Sequence, residues 1–552
     1  MSSTEPDRPK VRLAEVIAAL SLATDLGMGQ PMEHALRRTL LAVRIGEVLG
    51  VSDRQMGTVY YVALVCSVGC TVKLQEFSPW FTDEIAAAYE AATVDPTRPV
   101  SAARFLVSHV GRGDPPLRRA RKVVGALAVA KHEAHRSSVA CHEICRTFGE
   151  LLEFDSPIRA ALGQMHEHWD GSGEPAHLKG EQKALASRIA HLAGDAVLFH
   201  RLGGIDAAAG VVRQRGGRVY DPQIAQLFCQ RARQLLVEVE GDSVWDAVLA
   251  AEPAPHQWLD EGQLDKVARA MAYFADVKSP YTLTHSTGVA CLAEGAAHKL
   301  GLPNAEVATV RRAGLLHDLG RIGVPVGIWE KAGPLAPAEW ERVRMHPYLT
   351  DRVLAQSSAL CSLGALAALH HERLDGSGYY RGVSAPFIPI GARILAAADF
   401  FHTKIEPRPH RSQLVPDAAA EETRQQVQAG RLDWDAASAV LSVAGQSGLP
   451  PRAGLPSGLT DREVEVLRLI AGGRSIREMA QVLYLSPKTV DHHIQHIYGK
   501  VGVSTRVAAT LFAMRHDLLG DATRQPLTPS SGTPLGTRPS TIRSSPPSVL
   551  RK

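Results

Sequence analysis

Residues 315–320 read Leu-Leu-His-Asp-Leu-Gly, and residues 64–69 read Leu-Val-Cys-Ser-Val-Gly. The two stretches lie 251 positions apart and share one apolar frame around a polar doublet. The same shift relates His34 to His285, and Leu49-Gly50 to Leu300-Gly301, without a gap. A second shift, of 205, relates His166-Glu167-His168-Trp169-Asp170-Gly171-Ser172-Gly173 to His371-Glu372-Arg373-Leu374-Asp375-Gly376-Ser377-Gly378. Each half continues with Arg-Ile and a later aspartate: Arg188 and Asp195 in one, Arg393 and Asp399 in the other. The smaller second shift predicts extra residues in the middle of the first copy. Self-similarity of this kind reads as two copies of one domain.

Both copies read as helical. Met32–Leu49 and Leu283–Leu300 place apolar residues at three- and four-residue spacing. Few alternating apolar/polar runs with turn dipeptides occur, so the expected fold class is all-α. At about 150 residues per domain, 552 residues predict three or four domains. Breaks fall at Glu252–His256, at Gly448–Gly458, and after Gly520, where Ser, Thr and Pro dominate. The division is then residues 1–22 as an N-terminal segment, 23–250 and 259–445 as the two copies, 456–520 as a small module, and 521–552 as a tail expected to be disordered.

Charge narrows the possible partners. Lys and Arg total 61 against 57 Asp and Glu, a net +4. Arg524, Arg538, Arg543, Arg551 and Lys552 against Asp521 put that same +4 in the tail, so the body is neutral. A histone-like binder is excluded, and any nucleic-acid site in the body must be a local patch. Seven scattered cysteines, no signal-like start and no uninterrupted apolar run of 18 residues point to a cytoplasmic protein without a membrane partner.

Residues 285–399 hold His285, His317-Asp318, His346, His370-His371 and Asp399. Imidazole and carboxylate without thiolate suit Fe, Mn, Zn or Ni better than a cysteine-based structural zinc site. In an adjacent His-Asp pair the carboxylate can bridge two ions while its neighbour ligates one. Two such ions, about 3.5–4 Å apart, stabilise both the attacking and the leaving oxygen of a phosphoryl displacement. Any one of the 23 histidines could be a core or loop residue, but the ordered array is harder to explain that way.

The run Tyr281-Thr-Leu-Thr-His285-Ser followed by Leu315-Leu-His317-Asp318-Leu-Gly320-Arg-Ile-Gly-Val-Pro325 resembles the HD-GYP domain, the branch of the HD superfamily linked to cyclic di-GMP hydrolysis. So do Lys331-Ala-Gly-Pro-Leu335, His346-Pro347, His370-His371-Glu372-Arg-Leu-Asp375-Gly-Ser-Gly378-Tyr379 and Arg408-Pro-His-Arg411. The resemblance covers about residues 259–445. It implies a helical domain with two divalent ions, one held by His285, His317, Asp318 and Asp399. Asp318 bridges to a second ion on His346 and His370, with His371 nearby. It further implies catalytic roles for Asp318 and Arg321, and nucleotide contacts from Tyr379, Arg408 and Arg411, where guanidinium grips phosphate and an aromatic face stacks on guanine.

Three departures stand out. Arg321 replaces the family's lysine, Gly378-Tyr379-Tyr380 replaces Gly-Tyr-Pro, and Tyr281 replaces the glutamate that supports a third ion in some members. In the first copy the His-Asp pair has become Cys66-Ser67 and the paired histidines Met165-His166, while His34, His142 (as the rough counterpart of His346), His166 and Asp195 persist. That copy is expected to be structural or sensory. Cys66/Cys70 and Cys141/Cys145 are each four apart, as a zinc or redox cluster would need, although free cysteine also serves as core filler.

From Leu459 the chain reads LTDREVEVLRLIAGGRSIREMAQVLYLSPKTVDHHIQHIYGKVGVSTRVAATLFA. Thr460 and Glu463 form a capping box, Gly472-Gly473 end that helix, Ile476–Leu483 fit a second, and Ser486-Pro487 open a third with a polar face. The segment resembles the LuxR-type helix-turn-helix. The resemblance places Lys488, Thr489, Asp491, His492 and His493 on the major-groove side, with Lys500 and Arg506 near phosphates. Eight basic against six acidic residues over 457–520 predict weak binding by one copy, hence a homodimer on double-stranded DNA. The combined expectation is a cyclic di-GMP phosphodiesterase coupled to transcription. The alternatives are a nucleotide sensor without hydrolysis and a phosphohydrolase for another nucleotide.

Overall fold

The computed structural model describes residues 11–95, 98–237, 239–241, 243–449, 456–516 and 518–519, in two compact units that divide after Leu449. The 521–552 tail lies outside the described residues. The first copy runs through α1 (Leu13–Gly27), α2 (His34–Leu49), α3 (Asp53–Val65), α4 (Val68–Lys73), α5 (Glu84–Ala91), α6 (Pro99–His109), α7 (Pro116–Leu151), α8 (Ser156–Leu162), α9 (Leu185–Arg215), α10 (Pro222–Val237) and α11 (Val244–Ala250). The second runs through α12 (Glu261–Asp276), α13 (His285–Lys299), α14 (Asn304–Leu316), α15 (Val326–Trp329), α16 (Pro337–Arg344), α17 (His346–Leu354), α18 (Cys361–Ala367), α19 (Ile390–Ile405), α20 (Pro416–Gln428) and α21 (Trp434–Val443). Strands among the described residues are confined to Val11–Arg12 and Trp258–Leu259, paired antiparallel. The chain is all-α.

The two sequence shifts reappear as helix bounds. α3 and α14 start and stop 251 residues apart, and α8 and α18 do so 205 apart. A local bond repeats with them. Asp25 accepts from the Ala35 amide at 3.1 Å, as Asp276 accepts from the Ser286 amide at 2.9 Å. The extra residues of the first copy form α5, α6 and the exposed start of α7, which close their own small core around Phe81 and Val110.

The expected break after residue 22 is corrected by the structure, because it falls inside α1. That helix, LAEVIAALSLATDLG, is apolar nearly all round and is therefore buried. One continuous core joins α1, α2, α3, α9 and α12 to Leu315, Leu316, Leu319 and Ile322. Polar contacts lock the copies together: Ser357 and Ser358 donate to Glu15, and the Val326 amide donates to buried Glu84 at 2.7 Å. Asp53–Lys73 is long and apolar enough to cross a membrane, yet 72% of its apolar window is buried and the helix breaks at Cys66-Ser67. That stretch is core.

The second unit contains α22 (Asp461–Ala471), α23 (Ile476–Leu483), α24 (Pro487–Val501) and α25 (Arg506–Arg515) around Val466, Leu467, Ile470, Val490 and Ile497. Capping boxes at Thr460/Glu463 and Ser475/Glu478, and the Ser486 cap, start the first three helices.

Gly320 sits where no side chain fits: a Cβ there would lie 2.0 Å from the His346 carbonyl oxygen and 2.6 Å from the Thr350 amide nitrogen. Both are backbone atoms of α17 and cannot swing away. Gly320→Ala is expected to cost about 1–3 kcal/mol, visible as a lowered midpoint of the first unit's melt; an unchanged midpoint would contradict this packing.

Candidate metal centre

The expected ligands come from four helix ends and one helix interior. His285 opens α13, and His317-Asp318 follow the last turn of α14. His346 opens α17, His370-His371 lie just past α18, and Asp399 sits within α19. All are buried except His371, which is half-buried. The structure brings the whole set together.

The imidazoles are oriented from behind. His317, His346 and His370 each use Nδ1 toward the carbonyl three residues earlier, Gly314, Val343 and Ala367, at 2.7, 2.6 and 2.7 Å. This fixes Nδ1 as the protonated nitrogen and leaves each Nε2 lone pair facing the centre. His317 Nε2 is buried with no hydrogen-bond partner among the described residues. His346 and His370 Nε2 face each other at 3.1 Å.

Asp318 divides these nitrogens into two groups. Its Oδ2 lies 3.6 Å from both His285 Nε2 and His317 Nε2. Its Oδ1 lies 3.4 Å from His346 Nε2 and 3.7 Å from His370 Nε2. Asp399 does the same on the other side, with Oδ1 3.3 Å from His285 Nε2 and Oδ2 3.7 Å from His371 Nδ1. Buried imidazole nitrogens, that of His317 without a partner, converging on two shared carboxylates fit cation binding. Among them are groups of three that could each hold a metal ion: His285, His317 and Asp399; His317, Asp318 and His370; and His346, His370 and His371.

The charges agree. Burial would raise Asp318 and Asp399, but Arg321 and the imidazoles beside the first, and His285 with its neighbours beside the second, hold both well below the usual carboxylate range. Burial lowers His346 to about 4 and His370 to about 3, so both stay neutral and able to ligate. Burial opposes a proton on His285 as well, yet Asp399 and Glu406 together lift it to about 10. Three carboxylates therefore surround a place that demands positive charge.

Other expected residues separate. Arg321 donates to Asp318 Oδ2 at 2.8 Å and lies over Trp329 at 4.0 Å. Tyr379 packs on His371, ring centroids 4.6 Å apart, with Arg344 on its other flank. Arg408 pairs with Glu406 at 2.8 Å and reaches the Tyr281 carbonyl. Arg411 binds the carbonyls of Thr403, Lys404 and Glu406, so it clamps the end of α19, which otherwise leaves carbonyls unpaired. Sequence reasoning missed His402 and Glu406. Glu406 accepts from His285 Nδ1 at 2.9 Å and lies 3.3 Å from His402. Their spacing from Asp399 along one helix was the available signal.

The first copy shows how such a centre is lost. α9 and α19 begin 205 residues apart, so Gly194, not Asp195, stands opposite Asp399. Asp195 instead pairs with Arg215 and Tyr220. Buried Arg38 packs on Gly194, its Cδ 3.2 Å from where a Cβ would be, and donates to the Ser67 hydroxyl at 2.8 Å and the Ala63 carbonyl at 2.7 Å. Ser67 holds the place of Asp318. A guanidinium thus lies between the counterparts of Asp318 and Asp399. The rough pairing of His142 with His346 is also corrected: in the register of α8 and α18 Cys141 matches His346, and His142 binds the Gly163 carbonyl.

In the second unit, Lys488, Asp491 and His492 are exposed on α24, and Thr489 and His493 are half-buried. Lys500 pairs with Glu463 at 2.7 Å, and Arg506 donates to the Ile470 and Arg474 carbonyls. These two cations brace the module internally.

A helical bundle with a His-Asp doublet at its centre defines the HD class of phosphohydrolase. Residues 269–435 match the HD domain family, and residues 457–513 match the bacterial regulatory proteins of the luxR family. A 3'3'-cGAMP-specific phosphodiesterase 3 of Vibrio cholerae is 30% identical over 414 residues, 74% of this chain and 89% of that protein. A cyclic di-GMP phosphodiesterase of Thermotoga maritima is 36% identical over 154 residues, 28% of this chain and 42% of that protein. The crystal structure of V-cGAP3, a cyclic GMP-AMP phosphodiesterase of V. cholerae, superposes with a TM-score of 0.55 at 26% identity, covering 80% of this chain and 99% of that one. The chain belongs to the HD-GYP family of HD-domain phosphodiesterases and carries a LuxR-type module at its C-terminal end.

Glu406→Gln is expected to weaken divalent-ion binding about 10–100-fold by releasing His285 Nδ1. Titration of the apoprotein with Mn²⁺ measures this; unchanged affinity would show that Glu406 does not orient the ligand.

Proposed function

We propose that the second copy hydrolyses a 3'3'-linked cyclic dinucleotide and that the C-terminal module carries the result to double-stranded DNA. The observation that carries this is the division of Asp318, one oxygen toward His285 and His317, the other toward His346 and His370. We assign His285, His317, Asp318 and Asp399 to one divalent ion, and His346, His370 and His371 to a second across Asp318. Iron and manganese are the first choices for so many imidazoles and carboxylates. Ions held there supply Lewis acidity and positive charge for phosphoryl displacement.

The chain's own residues do the rest. Arg321 is fixed between Asp318 and the Trp329 face, so its remaining N–H groups are set to receive a phosphate oxygen as charge develops. Arg408 is linked to His285 through Glu406, and we assign it a second phosphate contact. Tyr379, stacked on His371, offers a ring edge beside the reacting end of the site. Water adds to phosphorus and one P–O bond of the ring breaks, which opens the cycle to a linear dinucleotide.

The mixed ring, 3'3'-cGAMP, is the first-choice substrate, because the relative matched across 74% of this chain acts on it. Cyclic di-GMP is the second reading, because phosphodiesterases that act on it are 36% identical over 154 and 160 residues. For DNA, α24 presents Lys488, Asp491 and His492 to the groove, and a homodimer supplies two such helices for paired half-sites. The cytoplasm is the compartment this reading requires.

Purified protein with Mn²⁺ is expected to linearise 3'3'-cGAMP faster than cyclic di-GMP, and Asp318→Ala to lose at least about 10²-fold in rate. Tight binding without turnover in the unaltered protein would instead establish a sensor. Lys488→Ala is expected to weaken operator binding by about 1–3 kcal/mol while leaving hydrolysis unchanged; equal affinity for DNA would remove α24 from the groove.

A further inference from the structure

The first copy retains a second cluster where the catalytic copy places its second ion. Cys70, Cys141 and His166 form a triangle: Cys70 Sγ to Cys141 Sγ, Cys70 Sγ to His166 Nε2, and Cys141 Sγ to His166 Nε2 are each 3.3 Å. The positions correspond one by one. Cys141 stands in the place of His346 and His166 in that of His371, both at the 205 shift; Cys70 stands in the place of Arg321 at the 251 shift. The backbone contact that seats them is the same as well. A Cβ on Gly69 would meet the Cys141 carbonyl at 2.6 Å, just as one on Gly320 would meet the His346 carbonyl at 2.0 Å. Both thiols of α7 crowd that glycine, with Cys141 Sγ at 2.8 Å and Cys145 Sγ at 2.7 Å from the same point. No carboxylate joins the triangle, and Met165 replaces the remaining histidine.

We propose that the first copy binds one thiophilic divalent ion, with zinc as its natural occupant, through Cys70, Cys141 and His166. Ligand atoms that lie 3.3 Å apart need to separate by only a few tenths of an ångström to surround an ion at about 2.0–2.3 Å. Thiolate and imidazole together select such an ion over the hard cations that suit the carboxylate centre. Three protein ligands, rather than four, leave a coordination position open. His166 lines an apolar cavity of about 430 Å³, walled by Phe105 and Leu106 of α6 and by Phe77, Trp80 and Phe81 just before α5. The insertion therefore contributes to an apolar chamber beside the proposed ion.

Cobalt(II) tests this without reference to catalysis, because only a thiolate ligand gives it an intense near-ultraviolet charge-transfer band. The full-length protein loaded with Co²⁺ is expected to show the band. Asp318→Ala should keep it, since that centre contains no sulfur, and Cys70→Ser, Cys141→Ser and His166→Ala should lose or reshape it with unchanged helical circular dichroism. Zinc should displace the cobalt and slow alkylation of Cys70 by about tenfold or more. Absence of the band in the unaltered protein would overturn the proposal. So would a band that survives both cysteine substitutions, or a Cys70–Cys141 disulfide formed at the same rate with and without zinc.

Discussion

The close approach of one glycine to one helix start sets the geometry of both copies. At Gly320 the turn after His317-Asp318 lies against the first carbonyl of α17, closer than any side chain would allow. That contact brings His346 to Asp318 and lets Thr350 bridge the turn, donating to the His317 carbonyl at 3.0 Å and accepting from the Gly320 amide at 2.9 Å. Without it the doublet and the α17 histidine would belong to separate helices. Gly69 keeps the same approach in the first copy, although the doublet beside it has become Cys66-Ser67 and the histidine facing it Cys141. The scaffold contact has outlasted the chemistry.

What replaced the chemistry follows from charge. Removing a metal ion from a buried nest of carboxylates leaves unpaired negative charge, which is costly in a low-dielectric interior. The first copy shows both remedies. Ser67 and Gly194 delete the two carboxylates, and the guanidinium of Arg38 fills the emptied volume and satisfies carbonyls left open at the end of α3. His34 remains, pushed down to about 3 by burial and by Arg38, so it stays neutral. A fixed cation with its own hydrogen-bond partners thus stands where the two carboxylates have been deleted.

Much of this was legible in the residues. Helical periodicity, the 251 and 205 shifts and the ordered histidines led to the right fold and to the ligands that the structure gathers. Errors came where a pattern and its meaning differ by one residue. Asp195 looked like Asp399 and His142 like His346, but helix register places Gly194 and Cys141 there, and a helix turns a side chain by about 100° per residue. Arg411 shows another limit: a guanidinium suits a phosphate and a row of helix-end carbonyls equally well, and here it donates to the carbonyls of Thr403, Lys404 and Glu406. Glu406 escaped because its only signal was its spacing from Asp399 and His402, at i+7 and i+4, which ordinary surface carboxylates share.

The two copies need not compete for metal. One centre offers imidazole and carboxylate, the other thiol and imidazole, and ligand softness separates the ions each prefers. One continuous core and the short bonds through Glu15 and Glu84 couple the copies mechanically. Glu84 lies on α5, at the wall of the apolar chamber, and holds the Val326 amide just beyond the turn that carries Arg321. A change in the inserted helices that moved Glu84 would therefore act on the same turn that orders the His-Asp doublet.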